Sequence, residues 1–391
     1  MIRSLKILVA LVLCVGSLSA QIVVDPNGGG DFTDLQPAID AAAPFSVIHV
    51  VGGSYGPVIV GKSLAIIGEP RPHISAPEGS SSGPFQPPAI ELVGTGSEIL
   101  TLVNLRVGDG FVNELQGWAV AGPAIGGGGF ADLHVQDCLV RGPEWTNVDG
   151  LRPGAPAIRL TGTPSITVVR SELGASWSIV SEVTNVFPPD GVPAIDALNA
   201  QVVVLDSTVE GGSANETIID SIPPLPAPCP CPLETGDGGP GIFADGVTVV
   251  DSLVTPGLGS EVTHYGSPWG QQLPGVPFDA KRLDTFVETL VVTEAPVIGD
   301  TYDMSFVPPP AGLAFLVLGT PLEEPLLAKG QPLFLDPVDP LILFPIAGGQ
   351  PDASFGIPLD TALIGVRFGL QLAENPGPLT LSNPVIDAFL F

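Results

Sequence analysis

The chain has 391 residues, with 41 acidic side chains, 13 basic ones and a formal net charge of −28, so its surface repels nucleic acid, anionic lipid and acidic polysaccharide. Charged residues make up only 14% of it and the mean hydropathy is +0.42, which excludes a disordered polyanion and leaves ample apolar sequence for a large core. The 49 glycines and 44 prolines lack the period of three that a collagen helix demands.

In chain order, the first segment reads as an export leader. Arg3 and Lys6 precede the apolar run Ile7–Val15, and Gly16-Ser17-Leu18-Ser19-Ala20 supplies small residues for a signal peptidase. Residues 1–20 are therefore expected to be removed, leaving a secreted or cell-surface protein. Leu13 before Cys14 is too bulky for a lipoprotein site. No later run approaches the roughly 18 apolar residues of a membrane span.

Asp31–Ala43 reads as a short helix with an apolar stripe of Phe32, Leu35, Ile39 and Ala42. Thr33 and Gln36 have the spacing of a capping box, and Pro37 falls in the first turn, where proline is tolerated. Val47–Val51, Val58–Val60 and Leu64–Ile67 are then three short strands, and a helix laid over them would hide an open sheet edge.

An internal repeat follows. Pro-Ala-Ile recurs at Pro88, Pro123, Pro156 and Pro193 and returns as Pro240-Gly241-Ile242, at steps of 35, 33, 37 and 47 residues. Behind each copy comes an apolar strand, one corner residue, a second short strand and, in most units, glycine. The corner is Asn104, Asp137, Asp206 or Asp251, types that tolerate a left-handed backbone; Arg170 departs from the pattern. The next position is Leu105, Cys138, Ser171, Ser207 and Ser252, mostly small, as an inward column at a tight corner requires. A unit this small cannot bury its own apolar face, so the units are expected to stack into one core. Ile90, Ile125, Ile158, Ile195 and Ile242 should form an interior column.

The opening Val24-Asp25-Pro26-Asn27-Gly28-Gly29-Gly30-Asp31-Phe32-Thr33-Asp34-Leu35-Gln36-Pro37-Ala38-Ile39, with Val47-Ile48-His49-Val50 and Leu64-Ala65-Ile66-Ile67-Gly68, resembles pectin methylesterases and related pectin-lyase-like proteins. The resemblance covers residues 22–75 by motif and extends to about 265 by repeat architecture. It implies an all-β fold, a right-handed parallel β-helix over residues 21–280 with an N-terminal capping helix.

From about Ala280 the repeat stops. Leu313–Leu318, Pro332–Leu335, Leu341–Ile346, Leu363–Leu372 and Val385–Phe391 read as strands of a small sandwich-like β domain over residues 281–391. The segment around Gly365–Gln371 and Leu379–Asn383 resembles C-terminal modules of large secreted proteins.

Gln136-Asp137-Cys138-Leu139 resembles the Gln-Asp-Thr-Leu motif of the esterases. Asp137 is already explained as a corner residue, however, and the family's other two motifs are missing: Gly266-Ser267-Pro268-Trp269 lacks the arginine. Without a second acid the esterase reaction is unsupported. A lyase wants a basic residue beside calcium-binding acids, and no acidic cluster in the sequence pairs with Arg159 or Arg170. His49, His73, His134 and His264 are too scattered for a zinc site or a triad. Gly236-Asp237-Gly238-Gly239 looks calcium-like but lacks the repeated acids of a calcium roll, so no cofactor is assigned. Cys229 and Cys231 are the disulfide candidates of an oxidising compartment.

Trp118, Trp145, Trp177 and Trp269 fall at similar points on the long excursions of four units. Beside Glu144, Asp149 and Glu182 they would offer a neutral sugar chain flat apolar faces and hydrogen-bond acceptors. The same rings would equally serve to pin each excursion to the stack. The reading is thus a non-catalytic, glycan- or surface-binding secreted protein, set against a polysaccharide-acting enzyme and a structural or adhesive envelope module.

Overall fold

The computed structural model describes residues 21–76, 86–108, 111–113, 121–146, 151–152, 154–177, 179–180, 190–214, 217–219, 237–259, 261–264, 267–271, 275–286, 290–292, 296–307, 310, 314–328, 331–337, 342–347, 349, 351–358, 363–364, 366–374 and 380–388. The fold is all-β, with one helix among the described residues.

Two sheets are built entirely of parallel pairs. The larger has eleven strands and begins at Ile22–Val24, passes through Ser46–Val51, Leu64–Glu69, Ile90–Val103, Ile125–Gln136, Ile195–Leu205 and Ile242–Val250, and ends at Phe278–Phe286. The smaller has seven strands of two or three residues, including Arg106–Gly108, Leu139–Arg141, Glu172–Gly174, Thr208–Glu210 and Leu253–Thr255. Both run through the repeats in sequence order, so each unit adds one rung to each sheet. Ile90 pairs with Ile125, Ile125 with Ile158, Ile158 with Ile195 and Ile195 with Ile242. All five side chains are buried in one core running from Val24 to Val249.

The bend between the two sheets is made by the corner residues. Asn104, Asp137, Arg170, Asp206 and Asp251 all have φ between 42° and 53°. The next residue points inward and forms a ladder. The Ser171 Oγ accepts the Cys138 N–H at 3.0 Å, Ser207 Oγ accepts that of Ser171 at 3.0 Å, and Ser252 Oγ accepts that of Ser207 at 3.0 Å. Each of these hydroxyls donates to the carbonyl two residues before it. Cys138 occupies the equivalent position one unit before Ser171, buried and with a free thiol. Burial pushes that thiol up to about 12. Cys138→Ser should therefore cost no more than about 1 kcal/mol, and the native thiol should resist labelling by a disulfide reagent until denaturant is added. Rapid labelling of the native protein would contradict this placement.

Near the start of Ile125–Gln136 is the run Gly126–Gly129. At Gly127, φ is +104° and a Cβ would lie 2.1 Å from the Leu92 carbonyl oxygen, so a side chain is excluded by both backbone conformation and space.

The helix is shorter than its sequence pattern indicates and differently capped. It spans Leu35–Ala41, and Asp34 is its N-cap without a side-chain bond. The expected capping box of Thr33 and Gln36 does not form. Gln36 instead reaches across to the neighbouring strand, where its Oε1 accepts the Ile59 N–H at 2.6 Å and its Nε2 donates to the Ile59 carbonyl at 3.2 Å, as well as to Asp40 of its own helix at 2.8 Å. Asp31 is held back by the first strand, its carboxylate accepting the Val23 N–H at 2.9 Å. Leu35, Ala38 and Ile39 still bury against the first rungs, as the apolar stripe requires.

Beyond the stack, antiparallel strands take over. Leu290–Val291, Thr301–Phe306 and Asp352–Gly356 form one sheet; Ile342–Ile346, Ala314–Gly319, Arg367–Glu374 and Thr380–Ala388 form another, in those orders. They share a second core around Tyr302, Phe306, Leu316, Phe368 and Leu370. This part lies on the outer face of the larger parallel sheet. Ile386 packs with Val169, Val203, Leu205 and Val250, and Ile364 with Ile67 and Val103.

Candidate functional site

Strand periodicity sends alternate residues of the larger sheet to opposite faces. Leu133, Val135, Ile166 and Val168 enter the stack core, while Asp132, His134, Gln136 and Thr167 point the other way and are nonetheless buried. The C-terminal strands cover them, and the buried polar groups meet there in one network.

Its centre is Arg170. Its Nε and one Nη donate to the two oxygens of Asp137 at 3.0 and 3.1 Å, and the same Nη reaches Asp387 at 2.7 Å. Asp387 is 0% exposed and also accepts a hydrogen bond from the Tyr302 hydroxyl. The Ala388 N–H donates to Gln136 Oε1 at 2.8 Å, and His134 Nε2 lies 3.0 Å from the same oxygen. An amide oxygen only accepts, so His134 is the Nε2–H tautomer. Its Nδ1 is buried without a partner, as is Asp132 Oδ1, although Asp132 pairs with Arg367. On the rim, Arg71 donates to Asn104 Oδ1 at 3.1 Å and to the Asp137 carbonyl at 2.9 Å.

The electrostatics follow from burial. Desolvation drives His134 down to about 3, helped by Arg367, so its imidazole is neutral at physiological pH. Desolvation alone would lower Arg170, but Asp387 and Asp137 outweigh it and raise its pKa. Burial pushes the Asp387 carboxyl up against the pull of Arg170, and lifts the Tyr302 hydroxyl in turn. Asp206 is raised by burial and by its neighbours Asp251 and Asp137 along the corner row.

This corrects the sequence reading in one respect: Arg170 does have acidic partners. One is the corner aspartate of the preceding unit, 33 residues away, and the other comes from 217 residues along the chain. Arg159 likewise pairs with Asp196 at 2.8 Å. The exception at the corner thus has a reason, since Arg170 reaches outward to fasten the C-terminal strands. With Asp387 sealed and both Asp137 oxygens bonded to Arg170, the two acids lock a junction.

The excursion residues are placed unevenly. Trp177 is 64% exposed, and the preceding Ser176 ties the excursion down by accepting the Ala155 N–H at 2.7 Å. Glu144 is exposed at the start of the strand Glu144–Thr146, which pairs parallel with Phe111–Asn113 and sets Trp145 opposite Val112. Trp269 lies on Ser267–Gln271, antiparallel to Glu261–His264, which itself runs parallel to Thr217–Ile219. Trp118, Asp149, Glu182, Cys229 and Cys231 lie outside the described residues. Among the described residues no three His, Cys, Asp or Glu side chains are grouped to hold a metal ion, and no helix is long and apolar enough to cross a membrane. The chain matches no protein-family model and no curated protein sequence.

Proposed function

We propose that this chain is an exported right-handed parallel β-helix protein, closed at its start by the short helix and followed by a sandwich-like C-terminal domain, and that it binds neutral glycan through the excursions on its side. The parallel register of both sheets and the five left-handed corners support the β-helix. Trp177 carries the binding reading: a large ring 64% exposed on a tethered excursion is what sugar stacking uses and what a core anchor does not do. Strands on neighbouring excursions pair with one another, which gives such a surface a fixed shape. The strong negative charge selects against anionic chains. Asp137, the residue most like an esterase acid, is engaged by Arg170, which favours binding over chemistry.

The test is fluorescence titration of the protein with neutral polysaccharides, followed by Trp177→Ala. The substitution should weaken binding at least several-fold while changing stability by less than about 0.5 kcal/mol, as expected away from the core. Unaltered affinity would remove Trp177 from the site, and the absence of any neutral-glycan response would end the proposal.

A further inference from the structure

The two C-terminal sheets end in edge strands that face each other. Asp352–Gly356 is the outermost strand of the three-stranded sheet, and Ile342–Ile346 the outermost of the four-stranded one. Phe344 and Phe355, both half-buried, stack across the seam between them with centroids 5.8 Å apart and planes 3° from parallel. Beside the seam opens a cleft of about 600 Å3, with the buried side chains of Met304, Leu316 and Ile346 in its wall. The hydrogen-bond phase of the first edge is fixed at its two ends. The Phe306 N–H donates to the Pro351 carbonyl at 2.7 Å and the Ile357 N–H to the Asp300 carbonyl at 2.8 Å. In the antiparallel register, Ala353 and Phe355 are then the residues that exchange hydrogen bonds with Met304 and Tyr302. The N–H and C=O groups of Ser354 and Gly356 point the other way, and among the described residues no strand pairs with that side.

Side chains of the same strand alternate between two environments. Ala353 and Phe355 are half-buried on the face that carries Met304, toward the cleft. Asp352 and Ser354 are exposed on the opposite face, where the Ser305 hydroxyl donates to Asp352 at 2.8 Å and the exposed Asp303 lies across from Ser354. A strand added to this edge meets an apolar hollow on one face and two carboxylates on the other. Open backbone groups select an extended chain, and the hollow selects an apolar side chain. The carboxylates, in a chain of net charge −28, select basic ones. We propose that the edge Asp352–Gly356 captures an extended peptide in which basic and apolar residues alternate, an apolar side chain entering the cleft. Charge decides against a second copy of this chain, which would bring the same acidic surface to the seam.

The chain holds only two methionines, Met1 and Met304, so a 13C-methyl methionine label reports on the cleft, while hydrogen exchange at the Ser354 amide reports on the edge. The full chain would be titrated with acetyl-Lys-Val-Lys-Phe-Lys-Val-amide, with a peptide of the same composition whose lysines are consecutive, and with the alternating peptide carrying Glu for Lys. The alternating basic peptide should shift the Met304 methyl saturably and slow exchange at Ser354, and the other two should bind at least severalfold more weakly. Asp303→Asn and Asp352→Asn should each weaken it by up to about fivefold, the range of an exposed ion pair. Ser354→Pro removes an N–H that the sheet itself does not use, at an edge position where proline is tolerated, and should abolish binding. Peptides N-methylated at every second amide test the same contact without altering the protein: one phase should lose binding and the other keep it. The proposal is overturned if the alternating basic peptide leaves both reporters unmoved, if the consecutive-lysine peptide binds as well, or if both N-methylated phases bind alike. It is overturned equally if Ser354→Pro, with its ligand-free spectrum unchanged, binds as the parent does. A dimeric parent that Ser354→Pro makes monomeric assigns the edge to a second copy and overturns it too. None of these readouts depends on glycan binding.

Discussion

Arg170→Asn should destabilise the protein by about 3–5 kcal/mol, the range found when one member of a buried ion pair is removed and its partner stays charged. Asparagine suits this corner, where φ is 43° and the equivalent residue one unit away from Asp137 is Asn104. Asparagine adds no backbone strain at this φ, so the loss is a lower bound on what the charge network contributes. Two carboxylates lose their cation at once, one of them Asp387, which is fully buried. Adding Asp137→Asn and Asp387→Asn should restore most of the stability, because the penalty comes from uncompensated charge and not from missing attraction. Chemical denaturation of the three proteins measures it. A change below about 1 kcal/mol for the single variant would mean that the C-terminal strands are held mainly by the apolar contacts of Ile386 and Ile364.

Acidification should weaken the fold through His134. Its folded pKa, about 3, lies below the unfolded value, so the unfolded chain binds the extra proton first. The stability it contributes is complete above about pH 6.5 and is lost as the pH falls toward 3, amounting to about 3 kcal/mol at pH 4. Asp387 and Asp206 act in the opposite sense. Their carboxyls are raised, so the folded state takes up protons more readily than the unfolded chain and gains stability as the pH falls. The comparison of parent with His134→Gln isolates the histidine: glutamine keeps a donor for the Gln136 oxygen but does not titrate. The stability gap between the two proteins should change by about 3 kcal/mol between pH 7 and pH 4. A gap that stays constant across that range would place the imidazole in contact with water.

Much of the stack was legible before any coordinates. The interior isoleucines, the Asn/Asp corners and the small residue after each corner all lie within one repeat, and stacking identical units brings equivalent positions together without further information. The cap of the helix was less legible, because a side chain such as Gln36 chooses between a local partner and a distant one. Ile59, 23 residues on, offered both a donor and an acceptor. The candidate binding face was legible only as a spacing of tryptophans, and the exposure of Trp177 depends on how its excursion lies.

What the sequence determined by itself is therefore what repeats: the parallel stack, the corners, the burial of Cys138 and the acidic surface. The tertiary structure alone decided where the C-terminal strands sit. The clasp of Asp137, Arg170, Asp387 and Tyr302 joins residues up to 217 apart, in no common repeat and with no shared spacing. Arg170 looked like an exception in a row of aspartates and became the anchor of that junction. Its partner was invisible along the chain because ion pairing depends on distance in space, and only the docking of Thr380–Ala388 on the sheet brings Asp387 within reach.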